Sequence, residues 1–547
     1  MKKLLALLLG LLAALPNVRA SAEARALPML RAEGTEFVSA DGERVLLRGV
    51  NLGGWLVQEA WMSLTNAPCQ TEAFRVLDER LGRETRERLF DVYEDNYLSE
   101  ADFDNIAALG MNVVRIPFAW WNILDDDGAL RQDAFTRLDW AVSCCAERGM
   151  YVILDLHAAR GSQNNQDNSG EMNGSNLWKE PAYQDQTVYL WEQVAAHYRG
   201  EPAVAAYDLL NEPGGDFKST GVTQWEFFDR AYRAVRAVDP EHIVMMESCW
   251  NPENLPVPDR YGWQNVAYQY HFYKWNADND YWAQKLNVDV KLFKIRQANY
   301  PVPAFLGEFT LFQSMDAWKY ALNAYTDAGV GWTIWTYKVT GESTWGLYNI
   351  FGAKADIYHD SAEAIEAKWR GQGTLRRNTE LCQIVADAIA GEPVTLARER
   401  TEGSAVPVLP LVFSDVSALE GATVAREEDG YRLTTAVSRD PQDCLNAICY
   451  RLQESTDCTA YRYLTFYIRD LQGSNTHKVT LTDARGASAS VWIDIRSARG
   501  RWVRIDAPLS AYTGVDLSCL SEVRIGEWNS GAYCFDRLFL CYDAADE

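Results

Sequence analysis

Two glutamates stand at the ends of apolar runs, where an ionisable group is costly unless it has a task. Glu212 lies in "LLNEPGG" (209–215), directly after the amide of Asn211 and before Pro213, and Glu308 lies in "PAFLGEF" (303–309). Two carboxyls that folding brings face to face can divide labour: a protonated one gives its proton to a leaving oxygen while an ionised one attacks the carbon that the oxygen leaves. Cleavage of a glycosidic bond needs this arrangement, and a separation of about 5–5.5 Å predicts a covalent intermediate and retained configuration. Other residues with suitable chemistry lie within or near the ends of similar runs: Arg115 in "VVRIPF", His157 in "YVILDLH", His271 and Tyr273 in "VAYQYHFY", and Trp335 in "GWTIWTYK". Arg115 and Tyr273 are candidate partners that favour the charged form of Glu308. An amide beside the acid suits a sugar 2-hydroxyl, and an indole face suits the C–H side of a pyranose. Taken singly, each residue has a plainer reading: a solvated loop glutamate, a hydrogen-bonded core histidine, a buried structural arginine. The case for chemistry is the set.

The elements that must position this set are short apolar runs alternating with longer amphipathic ones. The runs are Val45–Asn51, Val113–Phe118, Tyr151–His157, Val204–Glu212, Ile243–Ser248, Val266–Tyr273, Pro303–Phe309 and Gly331–Lys338, with helix-like stretches such as Asp133–Arg148, Asp185–Arg199 and Thr223–Val238 between them. The alternation predicts a parallel sheet wound with helices. Eight candidates over some 350 residues fit a closed (β/α)8 TIM barrel, and no glycine-rich phosphate loop follows the first run, which disfavours a dinucleotide fold. In such a barrel, function gathers where strands end, and strands four and seven face each other across that mouth. Residues 21–392 are therefore read as the barrel. The Pro- and Gly-containing stretch 393–410 reads as a linker, and 411–547, with short strands at regular spacing, as a smaller all-β sandwich of jelly-roll type.

With the runs and residues in place, Val45–Tyr348 resembles glycoside hydrolase family 5, in the cellulase-like clan of retaining barrels. Arg115, His157, Asn211, Glu212, His271, Tyr273, Glu308 and Trp335 match the family's set in order. The resemblance implies Glu212 as acid/base and Glu308 as nucleophile. It also implies Asn211 on the sugar 2-hydroxyl, Tyr273 and Arg115 orienting Glu308, His157 and His271 as polar floor, and Trp335 as platform. "LRGVNLGGWLVQEAW" (47–61) and "GSQNNQDNSG" (161–170) are similar to segments of exo-β-1,3-glucanases. "GEFT" and "WTYK" depart from those enzymes. The implied activity is a retaining β-glycosidase on β-glucans, β-1,3-glucan or its oligosaccharides first, with β-1,4-glucan, β-mannan and glycolipid head groups sharing the same set. A non-catalytic sugar binder would be expected to have lost a carboxylate. A transglycosylase differs only in its acceptor.

Beyond the set, Trp55, Trp120, Trp121, Trp178 and Trp250 sit in or near βα loops as candidates for further sugar subsites or for core, and the Asn-rich segment 161–176 reads as a substrate lip. In the last domain, whose texture resembles carbohydrate-binding sandwiches, Trp492, Trp502 and Trp528 alternate with polar residues and are expected as core.

The 547 residues carry a net charge of −24, which disfavours nucleic acid and anionic membranes as partners and suits a neutral substrate. Residues 1–20, with Lys2, Lys3, an apolar stretch and small residues before a cut near Ala20, read as an export signal, so a secreted protein is expected. Export permits disulfides among the 11 cysteines without specifying pairs. No Cys/His spacing resembles a zinc site, and neither metal nor other cofactor is expected. A monomer is expected.

Overall fold

The computed structural model describes residues 27–214, 224–248, 251–371, 373–391, 409–419, 422–427, 430–435, 446–471, 476–495, 498–500, 502–527 and 530–541. The chain divides into two compact units, Met1–Arg398 and Glu399–Glu547.

The first unit is a closed barrel of eight strands paired in chain order: β1 (Arg48–Asn51), β2 (Val113–Ala119), β3 (Tyr151–Ala158), β4 (Val204–Asp208), β5 (Ile243–Glu247), β6 (Val266–Phe272), β7 (Ala304–Phe309) and β8 (Gly331–Ile334), with β8 closing on β1. All neighbours pair in parallel, as βαβ crossovers require. Every residue of β2 and β3 is buried, because helices cover the outside and side chains fill the inside. Six of the eight strands fall within the predicted runs and β2 and β3 extend one residue beyond theirs, so the (β/α)8 expectation holds.

Between strands, helices bury one stripe. In Gln224–Val238, the buried residues Phe227, Phe228, Ala231, Tyr232 and Val235 recur at helical spacing. The predicted helices 133–148 and 185–199 are found as Thr136–Glu147 and Pro181–Tyr198, the second starting earlier because Pro181 suits the first helical turn. Strand β1 passes so close to β2 that a Cβ on Gly49 would fall 1.7 Å from the carbonyl oxygen of Val113, so only glycine fits.

Three features add to the predicted barrel. A hairpin, Leu30–Glu33 with Glu36–Ser39, packs Leu30 and Phe37 against Leu47, Val113, Tyr151, Ala205, Ile243, Ala267 and Phe305, the beginnings of the strands, and so caps the end opposite the mouth. Helices Gln70–Leu81 and Arg83–Tyr97 enlarge the connection from β1 to β2. Past β8, Lys338–Thr340, Tyr348–Phe351 and Thr374–Arg377 form a small sheet.

The second unit is antiparallel: Phe413–Ala418, Asn446–Thr456, Leu520–Glu527, Thr476–Asp483 and Ser488–Asp494 make one sheet, and the other is built around Gly531–Cys541. Leu433, Ile448, Leu464, Phe466, Val479, Leu481, Val523 and Ile525 form its core. Of the expected linker, only Leu409 and Pro410 lie within the described residues, and they pair with Leu540 and Phe539. One expectation needs correction: Trp492 is 44% exposed. In Ser488–Asp494 it is Ala489, Val491 and Ile493 that pack on the core, so alternation turns Trp492 outward. Trp502 is half-buried under the Arg469 guanidinium, 5.0 Å from the ring centre. Trp528, Trp250 and the leader-like residues 1–20 lie outside the described residues. Among the described residues, Cys69, Cys144, Cys145, Cys382, Cys449, Cys458, Cys519 and Cys541 are free thiols.

Candidate active site

The C-terminal ends of the strands bring polar side chains to one mouth, most of them fully buried. Arg115, on β2, is the hub. Its Nε donates to Asp208 Oδ2 (2.9 Å), Nη1 to Asn51 Oδ1 and Glu308 Oε1 (both 3.1 Å), and Nη2 to Asn211 Oδ1 (2.9 Å), with Asp155 Oδ1 at 3.0 Å. A guanidinium has five donors and no acceptor, so it can tie together acids and amides from several strands. Burial by itself would lower its pKa, but Asp155, Asp208 and Glu308 hold it above its ordinary value.

Glu308, near the end of β7, has each oxygen engaged: Arg115 on Oε1 and the Tyr273 hydroxyl on Oε2 at 2.7 Å. Two donors on one carboxylate fix its plane. Gly307 beside it leaves room for the neighbouring strand, since a Cβ there would fall 1.7 Å from Gln269 Oε1 and 3.1 Å from His271 Nε2.

Glu212 follows β4. Its Oε1 meets His271 Nδ1 at 2.8 Å and its Oε2 accepts from Asn168 Nδ2 at 2.6 Å. The backbone φ is +42°, in the left-handed region, which costs a non-glycine residue on the order of 1–3 kcal/mol and persists only where the surroundings enforce it. They do so at both ends of the residue: its N–H donates to Glu247 Oε2 (2.6 Å) and its carbonyl accepts from Asn164 Nδ2 (3.2 Å). Burial raises the Glu212 pKa above the ordinary 4.5, against the opposing pull of His157, Asn168 and Arg115.

The two carboxyls meet. An oxygen of Glu212, a ring nitrogen of His271 and an oxygen of Glu308 all lie within 4.8 Å of one another. His271 sits between them, its Nδ1 also 3.4 Å from Glu308 Oε2, and burial lowers its pKa to about 3, so the ring is neutral. His157 is likewise neutral, its pKa lowered to about 4 chiefly by burial, with Nδ1 2.6 Å from Asp155 Oδ2. It lies parallel to the Trp335 ring at 5.1 Å between centres. Trp335 is only 3% exposed, packed with Met62 and Val339 beneath Tyr273 and Trp345. The three closely spaced groups are a possible cation set by distance, yet Arg115 and Tyr273 aim hydrogens at the same Glu308 carboxylate, a setting that disfavours a cation.

All eight residues singled out in the sequence converge here. The structure adds others. Asp155, Asp208, Glu247 and Gln269 lie within strands, and burial raises the pKa of both aspartates to about 7. Glu59, before Trp61, accepts from the Trp61 indole N–H (2.7 Å), while Asp167 takes the Ala60 N–H (3.2 Å). Burial first, then Asp167, pushes the Glu59 pKa well up. Trp61 and Trp275, 39% and 53% exposed, each contact Trp345 at 5.0 and 5.5 Å, giving an aromatic rim beside Tyr273. Asp155 is two residues before His157 and so shares its side of β3.

The Asn-rich segment is built into the mouth. Gln163 Nε2 donates to the carbonyls of His157 (2.7 Å) and Asn211 (2.8 Å), and Ser162, Gln163 and Ser169 are fully buried. Trp178 supports it through Nε1 to Gln163 O (2.8 Å), whereas Trp55 donates to Glu94 O (2.9 Å) within the core. Trp120 and Trp121 are half-buried, the former beneath Arg160.

The chain is similar in sequence to known proteins. Residues 80–341 match the family model for cellulase, glycosyl hydrolase family 5. A β-xylosidase of Phanerodontia chrysosporium is 33% identical over 253 residues, 45% of this chain and 52% of that protein. A probable glucan 1,3-β-glucosidase A of Aspergillus niger is 32% identical over 240 residues, 42% of this chain and 56% of its own length. The chain thus spans about half the length of the curated relatives it matches. Among solved structures, that of an endogalactoceramidase aligns over 94% of this chain and 100% of its own, with a TM-score of 0.47 and 18% identity.

Proposed function

The barrel of this chain belongs to glycosyl hydrolase family 5, and from that membership we propose that the protein is a secreted retaining β-glycosidase acting on β-glucans, β-1,3-glucan or its oligosaccharides first. The observation that carries the reading is the approach of a Glu212 oxygen to a Glu308 oxygen within 4.8 Å. Inverting enzymes need about 6.5–9.5 Å between carboxyls to seat a water, and retaining enzymes about 5–5.5 Å.

In the first half-reaction Glu308 forms a bond to the anomeric carbon as the glycosidic bond breaks, and the Glu212 proton passes to the departing oxygen. In the second, Glu212, now ionised, takes a proton from water as its oxygen attacks the same carbon, and Glu308 leaves. Asymmetry between the acids supports these roles. Glu308 bears the Arg115 and Tyr273 donors suited to an anion, while Glu212 is buried with its proton affinity raised. The glucan preference draws support from the Aspergillus relative's name. A β-xyloside is the second reading, favoured by the Phanerodontia relative.

The test is a panel of 4-nitrophenyl β-glucoside and β-xyloside, laminarin, carboxymethyl cellulose and mannan, with the first-formed anomer followed by proton NMR. The β-anomer is expected first from a glucan, and Glu308→Ala is expected folded and inactive. An α-anomer formed first, or near-normal turnover by Glu308→Ala, overturns the mechanism. Cleavage of mannan alone overturns the substrate.

A further inference from the structure

A third carboxyl holds the acid of the pair from behind. Glu247, the last residue of β5, is fully buried, and its Oε2 accepts the backbone N–H of Glu212 over 2.6 Å, from one strand end to the next. That N–H belongs to the residue with the left-handed φ, so the bond helps enforce the turn that aims the Glu212 side chain. Gln269 Nε2 lies 3.3 Å from the same oxygen. The other oxygen, Oε1, has no hydrogen-bond partner among the described residues and stands 3.5 Å from His271 Nδ1, the nitrogen that meets Glu212 Oε1. Glu247 therefore grips Glu212 at its main chain and flanks the imidazole that holds its side chain.

Two-carboxyl chemistry leaves Glu247 without a task. Simple filling is a poor explanation: the two residues before it in "IVMME" are methionines, which pack without the cost of taking a carboxyl from water. A solvated loop acid is ruled out by its burial.

We propose that Glu247 is a positioning residue for the acid/base, fixing the Glu212 main chain and backing His271 so that the Glu212 proton points at the leaving oxygen. The proposal rests on the acid/base reading of Glu212. Burial, with Glu212 and Asp208 nearby, raises the Glu247 pKa well above the ordinary carboxylate range. The oxygen that accepts the Glu212 N–H can be replaced by the amide oxygen of glutamine.

The test compares kcat/KM on two aryl glycosides of the preferred sugar. Phenol needs a proton to leave, and 2,4-dinitrophenolate does not. Glu247→Asp pulls the oxygen back by one methylene and is expected to lose about 100-fold on the phenyl glycoside but less than about tenfold on the dinitrophenyl glycoside. Glu247→Gln is expected within about threefold of wild type on both, the scale of a retained hydrogen bond. Circular dichroism and melting establish that both variants are folded. Equal losses on the two substrates, no loss in Glu247→Asp, or a Glu247→Gln as impaired as Glu247→Asp overturns the proposal. Glu212→Ala under the same comparison tests the underlying reading by itself: without the selective loss there, the acid/base assignment fails first.

Discussion

The side-chain amide of Asn211 is only half engaged. Its Oδ1 accepts from Arg115 Nη2 at 2.9 Å, and because a guanidinium only donates, this bond decides which end of the amide is oxygen. Nδ2 is left in the mouth, fully buried and without a hydrogen-bond partner among the described residues. A buried donor in that condition costs about 1–3 kcal/mol, recovered when a ligand oxygen meets it. A sugar 2-hydroxyl is the expected acceptor, and it strengthens as charge develops at the neighbouring anomeric carbon. A bond worth about 2–3 kcal/mol in the transition state corresponds to about 30- to 150-fold in kcat/KM. Asn211→Ala alone does not isolate that bond, because Arg115 loses a partner too. A double-mutant cycle does: wild type and Asn211→Ala are each assayed on the β-glucoside and its 2-deoxy analogue, which cancels the analogue's own reactivity. The expected coupling is about 2 kcal/mol, so the 2-hydroxyl should matter in wild type and hardly at all in the variant. Strictly multiplicative effects of mutation and deoxygenation would refute the role of Nδ2.

Tyr273→Phe removes the 2.7 Å donor to Glu308, and a hydrogen bond to a charged group is worth about 1.5–3 kcal/mol, so kcat should fall about 10- to 150-fold with the melting temperature little changed. Unaltered turnover would show that the hydroxyl does not support the nucleophile. In the second unit, His477 is buried against Tyr533, 4.4 Å between ring centres, and burial lowers its pKa from 6.5 to about 3. Between those values the unfolded chain binds a proton that the folded chain does not. Stability contributed by His477 is thus present above 6.5 and lost as pH falls, at up to about 1.4 kcal/mol per pH unit. Replacing His477 with leucine should flatten the fall of that unit's melting temperature between pH 6.5 and 4, and parallel curves for the two proteins would contradict this.

Much of the site could be seen in the chain because Glu212, Glu308 and Arg115 each interrupt a run that is otherwise apolar, where a charged group has few ordinary explanations. Asp155, Asp208 and Glu247 interrupt such runs as well, yet their meaning depends on which residues face into the barrel, and closure of the sheet decides that. Asn168 could be placed on the lip but not against Glu212, since a contact across 44 positions is set by loop geometry. Trp492 shows the converse error: alternation says that every second residue faces the core, but not which half of them. The hairpin at 30–39 is two four-residue strands joined at a turn, too short to stand out beside the longer periodic runs.

The hub around Arg115 has a consequence for what the cavity will admit. Asp155, Asp208, Glu212, Glu247 and Glu308 gather about a single guanidinium with two uncharged imidazoles. Acids outnumber the fixed cation, so protons must be shared among them, and Arg115 is already engaged by Asp155, Asp208 and Glu308. A sugar bearing a carboxylate would leave water for a hub whose guanidinium is already committed to other acids. Glucuronides should therefore be rejected where the matching glucosides are cleaved.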